Sequence, residues 1–236
     1  MTRIPKLVLF AALAVFLAPA RPARAADSRG TDSLDVVLHK LDLAAARFHT
    51  TSADFVFTSI QTDPIPDTDT QKGSVYYERK GNSFQMAAHI REINGRDLPK
   101  IYEYAGGVFE LYEPVLNQVT RFARAGKFES YVMLGFGASG KDLADKWNIK
   151  LAGTETIDGV LTDKLELIAK DPAVRKNLPK VTIWIDPERG VSLKQVFDEA
   201  GGAQRTCTYS HIRVNDSLPR DAFSFKTNKD TQYVNH

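Results

Sequence analysis

The sequence has a single cysteine in 236 residues, which excludes an intramolecular disulfide bond. Cys207 stands between Thr206 and Thr208 in a segment with the pattern of a β-strand. A small, weakly polar side chain in such a position packs like other hydrophobic residues. We therefore interpret Cys207 as a packing residue and not as a reactive thiol.

The motifs of several enzyme classes are also missing. The chain contains no Gly-x-Ser-x-Gly nucleophile elbow, no phosphate-binding glycine loop and no dinucleotide-binding fingerprint. A lipid hydrolase would need a nucleophile beside a base, and the sequence offers no such pair. No histidine has metal-ligand spacing from another histidine, a cysteine or an acid: His39, His49, His89, His211 and His236. We expect no enzyme activity, no catalytic residue, no cofactor and no metal.

A strong excess of either charge is absent once the N-terminal segment is set aside. The whole chain has 31 basic and 29 acidic residues. Its first 25 residues contain four basic residues and no acid, which leaves 27 basic against 29 acidic residues. A nearly neutral chain provides no strong electrostatic field for nucleic acid or for an anionic membrane. We expect no nucleic-acid partner.

The longest apolar run lies close to the N-terminus, at Leu7–Ala18. It is too short to cross a bilayer as a helix, which takes roughly 20 residues. Basic residues precede the run, and Ala23–Ala25 places small side chains at the positions that signal peptidase recognises. We predict cleavage before Ala26, so that residues 1–25 are a signal peptide and residues 26–236 form one exported, periplasmic domain.

Alternating apolar and polar residues dominate the rest of the chain. Between Val181 and Val214, three alternating runs are separated by two glycine-containing turns, which predicts an antiparallel meander. Similar runs start near Asp54, and the last one is Phe223–Phe225. The pattern predicts a mainly β protein, a single half-open antiparallel β-barrel of about eleven strands.

Helical spacing occurs in few places. Apolar residues recur every three or four positions over Asp32–Phe48, which predicts an amphipathic N-terminal helix that packs on the sheet. A second helical pattern covers Lys141–Trp147. It follows an apolar segment with several glycines, which would be unusual as an exposed loop. We predict that this segment is a lid over an apolar cavity, with these residues: Tyr131, Leu134, Phe136 and Trp147.

Strand parity selects one candidate set of inward-facing side chains. Successive residues of a strand point to opposite faces, so large apolar residues two positions apart share a face. A plain hydrophobic core and a lipid-binding cavity both fit this pattern. The predicted cavity residues are Phe55, Phe57, Val75, Tyr77, Phe84, Met86, Phe109 and Leu111.

Eight short segments follow one another in an informative order: Ser52–Phe55, Gly73–Arg79, Gly106–Pro114, Asn117–Thr120, Val181–Pro187, Asp198–Gly202, Ser210–Asn215 and Leu218–Phe225. In order and spacing these segments resemble the LolA-type outer-membrane lipoprotein carriers. Those proteins are periplasmic carriers of Gram-negative bacteria whose half-open β-barrel is closed by helices. The resemblance covers most of the chain that follows the predicted signal peptide.

The resemblance implies a function and one further residue role. Carriers of this type receive lipoproteins from an inner-membrane transporter, shield the acyl chains and pass them to an outer-membrane receptor. The residue that matches the lid-holding arginine of the family is Arg79. A guanidinium in an apolar cavity needs acceptors, and backbone carbonyls of a lid can supply them. We expect a monomer that binds lipoprotein acyl chains or another lipid.

The chain departs from the family pattern at four places. Lys80 stands where a proline is usual, Met86 and Glu110 replace aromatic residues, and Lys226–Thr231 replaces a tail rich in proline and glycine. These changes leave the cargo open. The alternative functions are a periplasmic binder of another lipid and a sensor domain in envelope-stress signalling. No cysteine follows the cleavage site for lipidation, which favours a shuttle over a lipid-anchored receptor.

Overall fold

The structure is a computed structural model that describes residues 32–63, 65–81, 83–122 and 134–235. The predicted signal peptide and the predicted lid residue Tyr131 lie outside these residues. The helices are α1 (Leu34–Ala46), α2 (Gly140–Lys146) and α3 (Pro172–Asn177), and the strands are β1 (Thr50–Gln61), β2 (Asp67–Lys80), β3 (Ser83–Ile93), β4 (Arg96–Ala105), β5 (Val108–Glu113), β6 (Gln118–Phe122), β7 (Trp147–Ile157), β8 (Val160–Ala169), β9 (Lys180–Asp186), β10 (Val191–Asp198), β11 (Gln204–Val214) and β12 (Gln232–Asn235).

All described strands belong to one sheet, in the order β12-β6-β5-β4-β3-β2-β1-β11-β10-β9-β8-β7. Neighbouring strands are antiparallel except β12, which runs parallel to β6. Hairpin turns with positive φ angles, such as Asn94-Gly95 and Asp158-Gly159, connect adjacent strands with the twist that two-residue turns favour. Strands β7 and β12 do not pair with each other, so the sheet is open. The predicted fold class, a mainly β, half-open antiparallel sheet with helices, is confirmed.

The sheet ends differently from the prediction. The segment Phe223–Phe225 was expected to be the closing strand, and this is wrong, because it forms a turn and irregular chain. The ring of Phe225 stacks on Tyr112 of β5, with ring centroids 4.8 Å apart. The twelfth strand is instead Gln232–Asn235, whose four residues have two apolar side chains in succession and give no alternating signal. Three alternating residues are too few to distinguish a strand from irregular chain that carries an aromatic anchor.

The inner face of the sheet is the face that carries Tyr77 and Ile183, and it holds two apolar clusters. The first inner cluster lies mainly on β1 to β4 and β11 and contains Phe136, a residue from between β6 and α2. The second inner cluster lies on β7 to β9 beneath α1 and α2 and contains Leu134. Burial of one face of each strand is the main stabilising contribution of such an arrangement.

Helix α1 covers the second inner cluster and is capped at its N-terminus by Ser33. The side chain of Ser33 accepts a hydrogen bond from the backbone N–H of Val36, and Val37 and Leu41 are fully buried. The helix ends at Ala46, two residues earlier than predicted. Phe48 lies beyond the helix and packs in the first inner cluster. Its side chain is therefore buried, as the spacing of apolar residues indicates, although the residue is not helical.

An outer strap, residues 216–231, crosses the opposite face of the sheet. The backbone oxygen of Ala222 lies 3.1 Å from the Nε2 atom of His89 on β3, and Phe225 stacks on Tyr112 of β5. Ala222 is almost completely buried. His89, Ile101 and Tyr112 form one row of cross-strand partners, so the strap follows that row across β3, β4 and β5.

The row next to the strap contains two carboxyl groups. Glu103 of β4 lies directly opposite Glu110 of β5, and Glu110 forms an ion pair with Arg121 at 2.6 Å. The Oε1 atom of Glu103 is buried and has no hydrogen-bond partner within the described segments. Burial, followed by the charge of Glu110, raises the pKa of Glu103 from 4.5 to about 7.

Replacement of Glu103 by glutamine is expected to change the pH dependence of stability. A carboxyl group whose pKa is raised in the folded state stabilises the fold when protonated, and this contribution is lost as pH rises from about 4.5 to about 7. The free energy of unfolding of Glu103→Gln minus that of the wild type should therefore be larger at pH 8 than at pH 5. Urea unfolding at both pH values measures the difference.

The matched control is Glu92→Gln, which removes a carboxylate of β3 that pairs with Lys72. It should retain the pH dependence of the wild type. The partial exposure of Glu103 makes its effect smaller than the roughly 1.4 kcal/mol per unit of pKa shift that applies to full burial. An equal difference between Glu103→Gln and the wild type at the two pH values would contradict the assignment.

Candidate apolar binding site

The strand register places all eight predicted cavity residues on the inner face. Tyr77 of β2 lies opposite Met86 of β3, Met86 opposite Tyr104 of β4, and Tyr104 opposite Phe109 of β5. The other predicted residues share this face through the same ladders: Phe55, Phe57, Val75, Phe84 and Leu111. Their role in lipid binding stays a prediction.

Burial divides these side chains into a deep group and a shallow group. Phe55, Val75, Tyr77 and Phe84 are each less than a tenth exposed. The remaining four are only partly buried: Phe57, Met86, Phe109 and Leu111. The inner face therefore keeps partly accessible apolar surface at these four positions, which is the kind of surface that favours an apolar ligand.

A short plug segment, residues 134–137, fills the deep end of the inner face. Phe136 is fully buried and stacks on Tyr77, with ring centroids 4.4 Å apart and an angle of 11° between the planes. Its ring also meets the ring of Tyr209 edge-on at 4.8 Å. Such aromatic pairs are worth about 0.5–1.5 kcal/mol beyond the burial of their area.

Two glycines allow the plug segment to approach the sheet so closely. Gly135 and Gly137 have φ angles of +77° and +75°. A Cβ atom would stand 2.5 Å from the Cβ atom of Ser192 at the first position and 2.7 Å from the ring of Phe48 at the second. Glycine is therefore required at both positions by backbone conformation and by space.

Donors from two strands, β10 and β2, bind the carbonyl groups of the plug segment. The Nε2 atom of Gln195 donates to the oxygen of Leu134 at 2.6 Å, and the backbone N–H of Ser192 donates to the oxygen of Gly135 at 2.7 Å. The Nη2 atom of Arg79 donates to the oxygen of Gly137 at 2.6 Å. These contacts satisfy backbone groups that would otherwise be buried without partners.

Arg79 lies opposite Phe84 in the β2–β3 ladder and so belongs to the inner face. Besides Gly137, it donates from Nη1 to the oxygen of Ala45 in the last turn of α1, at 2.9 Å. Its guanidinium also lies 5.4 Å from the ring centre of Phe48. A cation at the carboxyl end of a helix and above an aromatic ring is favourably placed. One side chain thus links the plug segment, α1 and β2.

The predicted lid residues do not form a single separate segment. Phe136 lies in the first inner cluster, and Leu134 lies in the second, although both belong to the plug segment. Trp147 is the first residue of β7 and packs in the second inner cluster. Tyr131 lies outside the described residues. The structure therefore brings Leu134 and Phe136 together in one segment and places Trp147 in the sheet.

Sequence reasoning missed Gln195 and Tyr209. Gln195 is 4% exposed and lies opposite Ile183 and Cys207, both of which face inward. The hydroxyl of Tyr209 donates to the Oε1 atom of Gln195 at 3.0 Å. The available signal was a glutamine in the middle of an apolar strand at an inward parity position, because buried amides are normally hydrogen-bonded.

Burial disfavours the charged forms of three polar groups in the first inner cluster. It raises the pKa of Cys207 to about 12, and it also raises the pKa of Tyr77 and of Tyr209. The thiol and both hydroxyls are therefore neutral at physiological pH. The buried position of Cys207 agrees with its interpretation as a packing residue.

Within residues 32–235, gaps aside, no group of three or more His, Cys, Asp or Glu side chains is placed to hold a metal ion. None of the described helices is both long and apolar enough to cross a membrane.

A family model described as an uncharacterized protein matches residues 87–232, and the chain belongs to this family. An uncharacterized protein from Methanocaldococcus jannaschii is 27% identical over 120 residues, which cover 51% of this chain. The match covers 33% of that relative, so the chain spans about a third of its length.

Solved structures share the fold at low sequence identity. An uncharacterized conserved protein from Thermus thermophilus has a TM-score of 0.54 and 11% identity, with 87% of this chain and 100% of that chain covered. MucB has a TM-score of 0.50 and 12% identity, with 87% and 67% covered. A LolA superfamily protein from Nitrosomonas europaea has a TM-score of 0.39 and 17% identity, with 82% and 98% covered. The likenesses to the first two structures concern the fold alone, and the carrier role stays a prediction.

Replacement of Gly137 by alanine is expected to weaken the seating of the plug segment. The added Cβ meets the ring of Phe48 and the positive φ angle is strained, so the free energy of unfolding should fall by about 1–3 kcal/mol. Gly107→Ala is the matched control, because Gly107 has a φ angle of +79° and no atom within 4 Å of an added Cβ. Urea unfolding should show the larger loss for Gly137→Ala, and equal losses would contradict the proposed close packing.

Proposed function

We propose that the protein is a periplasmic carrier that shields the acyl chains of lipoproteins on the inner face of its sheet. The observation that carries the proposal is the plug segment. An apolar inner face is filled at its deep end by Phe136, which the chain itself supplies through two glycines. An aromatic side chain held in this way can be exchanged for an apolar chain of a ligand.

The energetics favour exchange over permanent closure. Burial of an acyl chain contributes about 0.8 kcal/mol for each CH₂ group, so a long chain can outweigh the loss of the Phe136 contacts. The same contacts re-form when the ligand leaves, which lowers the free energy needed for release. Donors on the sheet hold the carbonyls of the plug segment and make the closed arrangement a defined state.

The cellular role follows from the predicted signal peptide and from the resemblance to LolA-type carriers. We propose that the protein moves lipoproteins from the inner to the outer membrane as a monomer. The partners would be an inner-membrane lipoprotein-releasing transporter and an outer-membrane receptor. Binding and release need no enzyme activity and no cofactor.

A second candidate is a periplasmic domain of the same fold that binds another lipid or senses envelope stress. The departures from the family pattern favour it, because Met86 and Glu110 replace aromatic residues in the segments that resemble the carriers. The fold similarity to MucB is compatible with this candidate and concerns the fold alone.

Native mass spectrometry of the mature protein, isolated from periplasm without detergent, tests the proposal. We expect adducts whose masses correspond to lipoproteins or acyl lipids. A bare protein that also takes up no lipid when lipid is added would overturn the carrier function. Retention of a signalling protein without lipid would favour the sensor instead.

Substitution of Arg79 by leucine is expected to raise the affinity for a neutral apolar probe such as N-phenyl-1-naphthylamine. The change removes the hydrogen bonds to the carbonyls of Gly137 and Ala45, and hydrogen bonds from a charged donor contribute about 1.5–3 kcal/mol each. The plug segment should open more easily, which gives at least about a threefold gain in probe affinity and slower release of cargo.

The matched control is Arg91→Leu. Arg91 lies on the neighbouring strand β3, is exposed and contacts Asp54 and Ser74. This variant should bind the probe like the wild type. Unchanged probe affinity and release in Arg79→Leu would show that Arg79 does not hold the plug segment.

A further inference from the structure

The donors beneath the plug segment form a polar site inside an apolar environment. The side-chain amide of Gln195 and the backbone N–H of Ser192 bind two consecutive carbonyl groups, those of Leu134 and Gly135. Both donor residues are buried on the inner face, where they lie beside the first inner cluster. The Phe136 ring follows these carbonyls directly and fills the apolar space between Tyr77 and Tyr209.

Withdrawal of the plug segment would leave these donors without acceptors. A buried amide or N–H group that loses its hydrogen bond is destabilising, because water does not replace the partner in an apolar site. The Gln195 amide cannot simply turn away, since Tyr209 donates to its Oε1 atom and holds its orientation. An occupant of the site is therefore favoured when it carries both an apolar chain and a carbonyl oxygen.

We propose that Gln195, oriented by Tyr209, and the backbone N–H of Ser192 form a subsite for the ester or amide carbonyl of an acylated ligand. The inference rests on the proposed function and names the chemistry that the inner face selects. The plug segment imitates such a ligand. Its carbonyl groups stand in for the acyl carbonyl, and the ring of Phe136 stands in for the start of the hydrocarbon chain.

The subsite predicts a preference that a purely structural contact would not produce. If Gln195 only held the plug segment in place, its replacement would make every apolar ligand bind more tightly by the same factor. If Gln195 also binds a ligand carbonyl, its replacement acts differently on ligands with and without that group. The ratio of two affinities therefore separates the two roles.

The test compares 1-hexadecanoylglycerol with 1-hexadecylglycerol, which have the same chain length and differ in the ester carbonyl. Both displace the neutral fluorescent probe N-phenyl-1-naphthylamine from the whole protein. A site built to hydrogen-bond a group rejects the analogue that lacks it, so the wild type should prefer the ester by at least about fivefold. Gln195→Met should reduce this preference to about onefold, even where both affinities rise.

Tyr209→Phe provides a second variant that keeps the aromatic ring against Phe136 and removes only the hydroxyl that orients Gln195. Tyr209→Phe should reduce the ester preference. If Gln195→Met does not fold, Tyr209→Phe alone is sufficient to test the subsite. Lys194→Met, on the other face of β10, is the control and should keep the wild-type preference.

The outcomes are distinguishable. Equal binding of ester and ether by the wild type, or an ester preference that survives in both Gln195→Met and Tyr209→Phe, would overturn the carbonyl subsite and leave the proposed function intact. If neither lipid binds to the wild type, the proposed function and the subsite are overturned together.

Discussion

The insertion of Phe136 between Tyr77 and Tyr209 is the contact on which the rest of the inner face depends. It joins residues from opposite halves of the sheet, because Tyr77 lies on β2 and Tyr209 on β11. Without the ring, the deep apolar residues would line a depression whose filling by water is unfavourable. The strands thus form an apolar surface that is stable only when it is covered, and Phe136, a residue from outside the sheet, covers it.

The plug segment is held by a close fit between its backbone and the sheet. Gly135 and Gly137 adopt φ angles open to glycine, and their backbones contact Ser192 and Phe48 without space for a side chain. A tight fit of this kind is lost abruptly when the segment moves, because packed interfaces do not deform continuously. Arg79 extends the same arrangement to α1 through Ala45, so the helix and the plug segment are bound to one side chain.

Much of the fold could be predicted from the sequence, because strand alternation is a local signal with a period of two. That period also predicts a common face for Phe55, Tyr77, Phe84 and Phe109, in agreement with the strand register. Gln195 was not predicted as part of the site, since its inward position conflicts with the expectation for a polar residue, and its partners are 61 residues away at Leu134 and 14 residues away at Tyr209. The outer strap was missed for a similar reason, because its anchors on His89 and Tyr112 are tertiary contacts.

The outer strap has a consequence for how far the sheet can flatten. It contacts β3 at His89 and β5 at Tyr112, and the chain then continues into β12, which is bonded to β6. Because the outer strap is attached to the sheet at three strands, it limits the change in curvature of the sheet between them. The outer strap therefore restrains the curvature of this half of the sheet from its outer face, and a larger change in curvature would require these contacts to break.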